Sequence, residues 1–175
     1  MYQVSIRKFE KRDISDKIRW INDPRNHTYL HYDLPLEYEK TAAWFEKNKD
    51  RTDRYDAVIE ADGKPVGVIG LLGIDLKNNK AEYYITLGEA DYQGKGIAKQ
   101  ASLLLLKYAF EERGLNRVYL YTETENLSGQ RLFERVGFVR EGVLKDDLMR
   151  DGGYVDRYVY AICKNDWTKR EMLHE

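Results

Sequence analysis

The chain has 175 residues, 42% hydrophobic and 34% charged, with 29 Lys plus Arg against 30 Asp plus Glu and a formal net charge of −1. Such values fit one soluble globular domain and exclude a disordered chain; the neutral balance argues against general phosphate-backbone binding, so no nucleic-acid partner is expected. Cys163 is the single cysteine and His27, His31 and His174 fall in no ligand spacing, so neither a disulfide framework nor a metal is expected.

The opening MYQVSIRKFEKRD has no apolar signal region, and the longest apolar run, Leu103 to Leu106, is far too short for a span. A cytoplasmic protein with no membrane partner is the expectation. Tyrosine stands out at 14 residues. It fits either amphipathic packing on strand faces or a polar, aromatic pocket.

In chain order, Val4 to Phe9 alternates weakly and reads as a strand. Asp13 is placed to cap a short helix to Ile21, with Ile14, Ile18 and Ile21 at helical spacing, ended by Asn22-Asp23-Pro24. His27 to Leu34 reads as a loop, and Pro35 opens a second helix carrying Tyr38, Ala42 and Phe45 on one face. Tyr55 to Glu60 and Lys64 to Leu76 read as strands joined by the tight turn Asp62-Gly63. Gly67, Gly70 and Gly73 lie inside the second of these, where close backbone approach or a bulge explains them better than phosphate binding. After the turn Lys77 to Lys80, Ala81 to Leu87 is a fourth strand.

Ile97 to Glu112 is the best helix, with Ile97, Ala101, Leu104, Leu105 and Tyr108 on one stripe and Gly114 to stop it. Val118 to Thr122 is a strand, Ser128 to Val136 a helix, and Phe138 to Leu144 and Tyr154 to Cys163 close the order as strands. One domain over residues 1–164 is followed by a polar, frayed tail over 165–175. The order β-α-α-β-β-β-α-β-α-β-β predicts an α/β (α+β) fold: a mixed sheet with helices on both faces.

Chemistry concentrates in Tyr92 to Ala101, between a strand and the strongest helix. Gly94 and Gly96 permit the tight conformations that bring successive N–H groups round one point. The helix start adds unpaired N–H groups and partial positive charge, and Lys95 and Lys99 add more. The segment reads either as an anion site suited to a pyrophosphate or as a plain helix cap. It is neither a Walker loop nor a dinucleotide fingerprint.

Gln93-x-x-Gly96-x-Ala98 matches the Gln/Arg-x-x-Gly-x-Gly/Ala motif of the GNAT acetyltransferases. Asn126-Leu127-Ser128-Gly129-Gln130-Arg131-Leu132-Phe133, with Gly137-Phe138 beyond it, resembles that family's second motif, in the same order along the chain. Trp20 to Asp23 and Gly152 to Asp156 resemble the branch of ribosomal-protein N-terminal, spermidine and amino-sugar-nucleotide acetyltransferases.

The resemblance implies the GNAT fold: a mixed, mostly antiparallel sheet of about seven strands splayed in the middle. It implies acetyl-CoA as co-substrate. Its pyrophosphate would lie on the N–H groups of Gln93, Gly94, Lys95, Gly96, Ile97 and Ala98. Its pantetheine arm would pair with the splayed strand at Ile85, Thr86 and Leu87, and Asn126 and Phe133 would lie near its thioester. An N–H of that strand would stabilise the oxyanion. The attacking amine must be neutral, so Glu82 is the candidate acceptor of its proton, and alternation sets Glu82, Tyr84 and Thr86 on one face.

Two positions depart from the family's pattern. Phe133 stands where a tyrosine acid is usual; Tyr121 or water would replace it, or the thiolate leaves without a proton. Gly129 stands for the usual Ala or Ser. Trp20, His31, Tyr32, Asp33, Glu37 and Tyr84 are the candidates for binding the acceptor.

The acceptor is expected to be a small-molecule amine (an amino sugar, polyamine or amine antibiotic). The alternatives are a protein N-terminus and a non-catalytic acetyl-CoA-binding sensor. Exposed strand edges and the tyrosines fit a homodimer.

Overall fold

The computed structural model describes residues 1–172. Seven strands form one sheet: β1 (Val4–Lys8), β2 (Tyr55–Ala61), β3 (Lys64–Asp75), β4 (Lys80–Leu87), β5 (Arg117–Glu123), β6 (Val139–Arg150) and β7 (Gly153–Cys163). Their spatial order is β1-β2-β3-β4-β5-β7-β6. Only β4 and β5 run parallel; every other neighbouring pair is antiparallel. The helices are α1 (Ile14–Asn22), α2 (Tyr38–Asn48), α3 (Ile97–Lys107), α4 (Leu127–Val136) and α5 (Lys164–Met172). Among the described residues no helix is long and apolar enough to cross a membrane.

The sheet separates two cores. On one face α1 and α2 cover Phe9, Ile14, Trp20, Val58 and Val68, with Tyr84 at the edge. On the other, Ile97, Leu105, Phe110, Phe133 and Trp167 pack against Tyr83, Val118 and Leu120. Fully burying each large apolar side chain is worth roughly 1.5–3 kcal/mol, so both layers contribute substantially.

Local chemistry sets most boundaries. Asp62 and Gly63 both take positive φ (50° and 77°), the two-residue turn that matches strand twist. Gly67 has no Cβ because one would strike the Thr86 carbonyl oxygen on β4, so β3 and β4 approach closely there.

Four expectations change. Pro35 does not open α2. The Asn22 side chain pairs with the backbone of Leu36 through both its oxygen and its nitrogen (2.7 and 2.9 Å), which keeps residue 36 out of the helix, and α2 starts at Tyr38. Asp13 stands at the start of α1 but does not cap it, because its carboxylate binds the Arg7 guanidinium twice, each at 2.8 Å, and the Glu10 amide.

The last hairpin is much longer than expected. Asp151 and Gly152, again at positive φ (51° and 78°), join β6 and β7, and Arg150 pairs with Gly153. The polar alternation of β6 hides this, since much of that strand is exposed. The tail expected over 165–175 is instead largely helical: α5 follows β7 directly and buries Trp167, only 3% exposed, against Phe110. Residues 173–175 lie outside the described residues.

Candidate active site

β4 and β5 pair only at Lys80–Arg117, Ala81–Val118 and Glu82–Tyr119. Beyond Glu82, β4 stays with β3 as far as Leu87 and β5 stays with β7 as far as Glu123, so the sheet opens between them. A cavity of about 420 Å³ occupies this opening. Its walls come from both faces of the sheet: Glu82, Tyr84 and Thr86 on the α1–α2 side, Tyr83 and Phe133 on the α3–α4 side.

On the α3 side, Gly94 and Gly96 have φ of 71° and 79°, and Gly96 begins α3 in the left-handed conformation. A Cβ at either position would meet nothing, so it is the backbone shape and not crowding that selects glycine. The first helical bond runs from the Gln100 N–H to the Gly96 carbonyl. The N–H groups at the start of α3 therefore have no partner within the helix. Gln93 Nε2 donates to the Leu87 carbonyl and to Asn26 Oδ1, both at 3.3 Å, tying this loop to the end of β4. Lys95 lies over the rings of Tyr2 and Tyr92. The loop has the shape, unpaired donors and positive charge that a diphosphate requires.

Asn126 caps α4: its Oδ1 accepts the Gly129 N–H and its Nδ2 donates to Thr122 Oγ1, both at 3.1 Å. A Cβ on Gly129 would strike that amide, which accounts for the glycine there. Phe133 is 8% exposed and packs edge-on against Tyr83, with Phe138 and Tyr160 alongside. The nearby tyrosine hydroxyls are engaged elsewhere, Tyr83 with Ser102 and Tyr160 with Glu134. Tyr121 borders the cavity and is partly exposed, with the Arg157 guanidinium 4.9 Å from its ring centre.

On the α1 side, Glu82 is half-buried with no hydrogen bond or ion pair among the described residues. Burial pushes its carboxyl above the usual range, opposed by the Arg157 charge. The Tyr84 hydroxyl donates to Asp56 Oδ1, and Arg54 holds the same carboxylate at 2.6 and 2.8 Å. Burial raises both Tyr32 and Tyr84 above the usual phenol range.

His31 Nε2 lies 3.4 Å from Glu123 Oε1, and burial holds this imidazole below its ordinary pKa. Glu123 is 2% exposed and its oxygens make no hydrogen bond; Arg150 Nη1 lies 2.8 Å from Oε2 as an ion pair. Arg150 also donates to the Thr28 carbonyl, so the β6–β7 hairpin pins the loop that carries His31.

Of the residues named from sequence, Glu82, Tyr84, Ile85, Thr86, Tyr121, Asn126, Phe133, His31 and Tyr32 border one cavity. Leu87 and Gln93 to Ala98 lie outside it, at the end of β4 and the start of α3. Trp20 is no part of an acceptor wall: it is 1% exposed in the α1 core, and its indole N–H donates to Glu89. Asp33 and Glu37 are exposed and outside the cavity, because Pro35 and the late start of α2 leave them on the surface, where Glu37 pairs with Lys40.

Lys17, Asp56, Glu123 and Arg157 escaped sequence reasoning. Two of these had a signal. Lys17 interrupts the apolar stripe of α1 one turn after Ile14, and Glu123 continues the Tyr119–Tyr121 alternation on the Glu82 face.

Residues 3–139 match the family profile of the acetyltransferase (GNAT) domain. The chain is 29% identical over 170 residues to the spermidine N(1)-acetyltransferase of Vibrio cholerae, covering 96% of this chain and 97% of that protein. It is 38% identical over 108 residues to the putative ribosomal N-acetyltransferase YdaF of Bacillus subtilis, covering 61% of this chain and 57% of that protein. The crystal structure of the Vibrio cholerae spermidine N-acetyltransferase in complex with CoA and spermine superposes with a TM-score of 0.88, at 25% identity, over 95% of this chain and 98% of that one. With its splayed sheet and its glycine loop at the start of α3, the chain belongs to the GNAT acetyltransferase family.

Proposed function

We propose that this GNAT N-acetyltransferase transfers an acetyl group from acetyl-CoA to the primary amine of a small molecule, by direct attack within one ternary complex. The observation that carries the reading is the opening between β4 and β5, which is lined from both faces and has an unpaired Glu82 where the strands part. A donor entering from the α3 side and an acceptor from the α1 side meet there without crossing.

Acetyl-CoA supplies the acetyl group as a thioester. The N–H groups from Gly94 to Ala98 bind its pyrophosphate, because loop and helix start together offer unpaired donors and partial positive charge; the Gln93 N–H, expected among them, is taken by the Ala90 carbonyl at 3.1 Å. The inner edge of β4 at Ile85 to Leu87 has no strand partner on the β5 side, so it is free to pair with the amides of the pantetheine arm. An N–H of that edge stabilises oxyanion charge as it develops.

Glu82 accepts the proton of the incoming ammonium, directly or through one water. Its raised carboxyl pKa narrows the gap to the amine and makes the transfer less uphill. Tyr121 is the hydroxyl at hand for the departing sulfur.

The test is thiol release from acetyl-CoA across amino sugars, polyamines, aminoglycosides and short peptides, with products identified by mass. Release with free amines supports the reading. Release with peptides alone would move the acceptor to a protein N-terminus, the alternative favoured by the likeness to YdaF. A melting shift with acetyl-CoA but no release would leave a binding role.

A further inference from the structure

Among the described residues, Lys17 is the one cation of the cavity whose charge is not matched. It is only 8% exposed, and its ammonium sits 3.4 Å from the ring centre of Trp44, with Phe9 and Tyr32 at 5.7 and 5.9 Å. Among the described residues no carboxylate lies within ion-pairing distance of it and it makes no side-chain hydrogen bond. The acid whose charge acts on it, Asp56, is already held by two nitrogens of Arg54 and by the Tyr84 hydroxyl.

Aromatic faces offset only part of the cost of taking an ammonium out of water. Burial accordingly lowers the Lys17 pKa to about 8, with Asp56 opposing and Arg54 adding to the effect. At this position on α1, between Ile14 and Ile21, an apolar side chain would pack at no such cost.

The other charges of the cavity are matched: Arg54 with Asp56, Arg157 with Asp147, and Glu123 with Arg150. Glu82 is the exception. Among the described residues the cavity therefore presents one unmatched carboxylate and one unmatched ammonium. Tyr84, which also lines the cavity, lies two residues beyond Glu82 on the same strand face, or about 7 Å.

We propose that Lys17 binds an anionic group of the acceptor, so that the substrate is a primary amine that also carries a carboxylate or a phosphate, with the amine directed to Glu82. This inference rests on the cavity being the acceptor site of the acetyl transfer. It separates the chain from acceptors that carry only positive charge, for which an unpaired buried ammonium is repulsive.

The experiment compares acceptors paired with and without the anion, each rate referred to its free-amine concentration: an α-amino acid and its amide, glucosamine 6-phosphate and glucosamine, with spermidine as the purely cationic arm. The kcat/KM ratio of anionic to neutral partner is measured for wild type, Lys17→Met and Lys17→Arg. We expect the anionic member of at least one pair to be favoured about tenfold or more, as befits a charge-assisted hydrogen bond. Which pair shows the preference tells carboxylate from phosphate. In Lys17→Met the ratio falls to near one, and Lys17→Arg recovers most of it; a merely structural lysine would move both members together.

A wild-type ratio near one, preference for spermidine, or a ratio that survives Lys17→Met overturns the inference while leaving acetyl transfer in place. No release with any of these amines overturns both. If Lys17→Met no longer melts cooperatively, Lys17→Gln replaces it, and the wild-type ratios still decide.

Discussion

Glu82→Gln is the sharpest test of the chemistry. Near pH 7 an alkylamine of pKa about 10.4 is neutral in roughly one molecule in 2,500, so nearly every acceptor arrives with a proton to lose. Glu82 has no ion pair among the described residues, and burial raises its carboxyl, so it is a stronger proton acceptor than an exposed carboxylate. A positioned base contributes about 10²–10⁴-fold, and the variant should lose kcat by about 10²–10³ near neutral pH.

The loss should shrink about tenfold per pH unit as the solution approaches the amine pKa, because the free amine then needs no help. Wild-type activity should fall on the acid side as pH drops through the raised Glu82 pKa. Stability should move the other way. A carboxyl raised in the folded state stabilises only while protonated, below its folded pKa, and costs stability above it. The neutral glutamine should therefore leave the melting temperature near pH 7 unchanged or slightly higher. The assay is initial-rate thiol release at saturating acetyl-CoA over about pH 6 to 9, beside thermal melts. A kcat within about threefold of wild type throughout that range would remove Glu82 as the base.

Gly96→Val should reduce acetyl-CoA affinity at least about tenfold, because φ of 79° is costly for a β-branched residue and the loop would re-form. Nothing crowds that Cβ, so the melting temperature should fall only by about 2–8 °C; intact binding by calorimetry would sink the loop assignment. Trp167→Ala should cost about 3–5 kcal/mol in denaturant unfolding, since its ring is in the core beside Phe110; a loss under about 1 kcal/mol would mean α5 does not dock as described.

The fold was legible where periodicity was strong. The order of the first eleven strands and helices follows from alternation, a helical stripe and two turn signals. What escaped had a local cause. Asp151-Gly152 is the same turn as Asp62-Gly63, but the exposed, polar β6 gives no apolar alternation to flag it. Trp167 is a single aromatic in a charged helix, and only tertiary packing makes it core.

The donor side was legible because backbone conformation leaves glycines behind. The acceptor side was not, because it is assembled from α1, β2, β5 and β7 by register. Glu123 faces Arg157 across β5 and β7, and no local spacing encodes that. Trp20 was drawn into the acceptor wall by its chemistry, whereas Gly88 and Glu89 bury it.

Phe133 bears on how the sulfur leaves. A thiol of pKa about 8.5 departs as a thiolate near neutral pH with little need for a proton, unlike the amine that must lose one to attack. The side chain at position 133 then serves packing, closing the ring cluster of Tyr83, Phe138 and Tyr160 beneath the cleft. Those neighbours leave an added hydroxyl no free partner, since Tyr83 is bound to Ser102 and Tyr160 to Glu134. Phe133→Tyr should thus change kcat by less than about threefold and, where the hydroxyl stays unpaired, cost about 1–3 kcal/mol of stability. A gain in kcat beyond about tenfold would show instead that proton delivery to the sulfur limits the reaction, and that Tyr121 does not provide it.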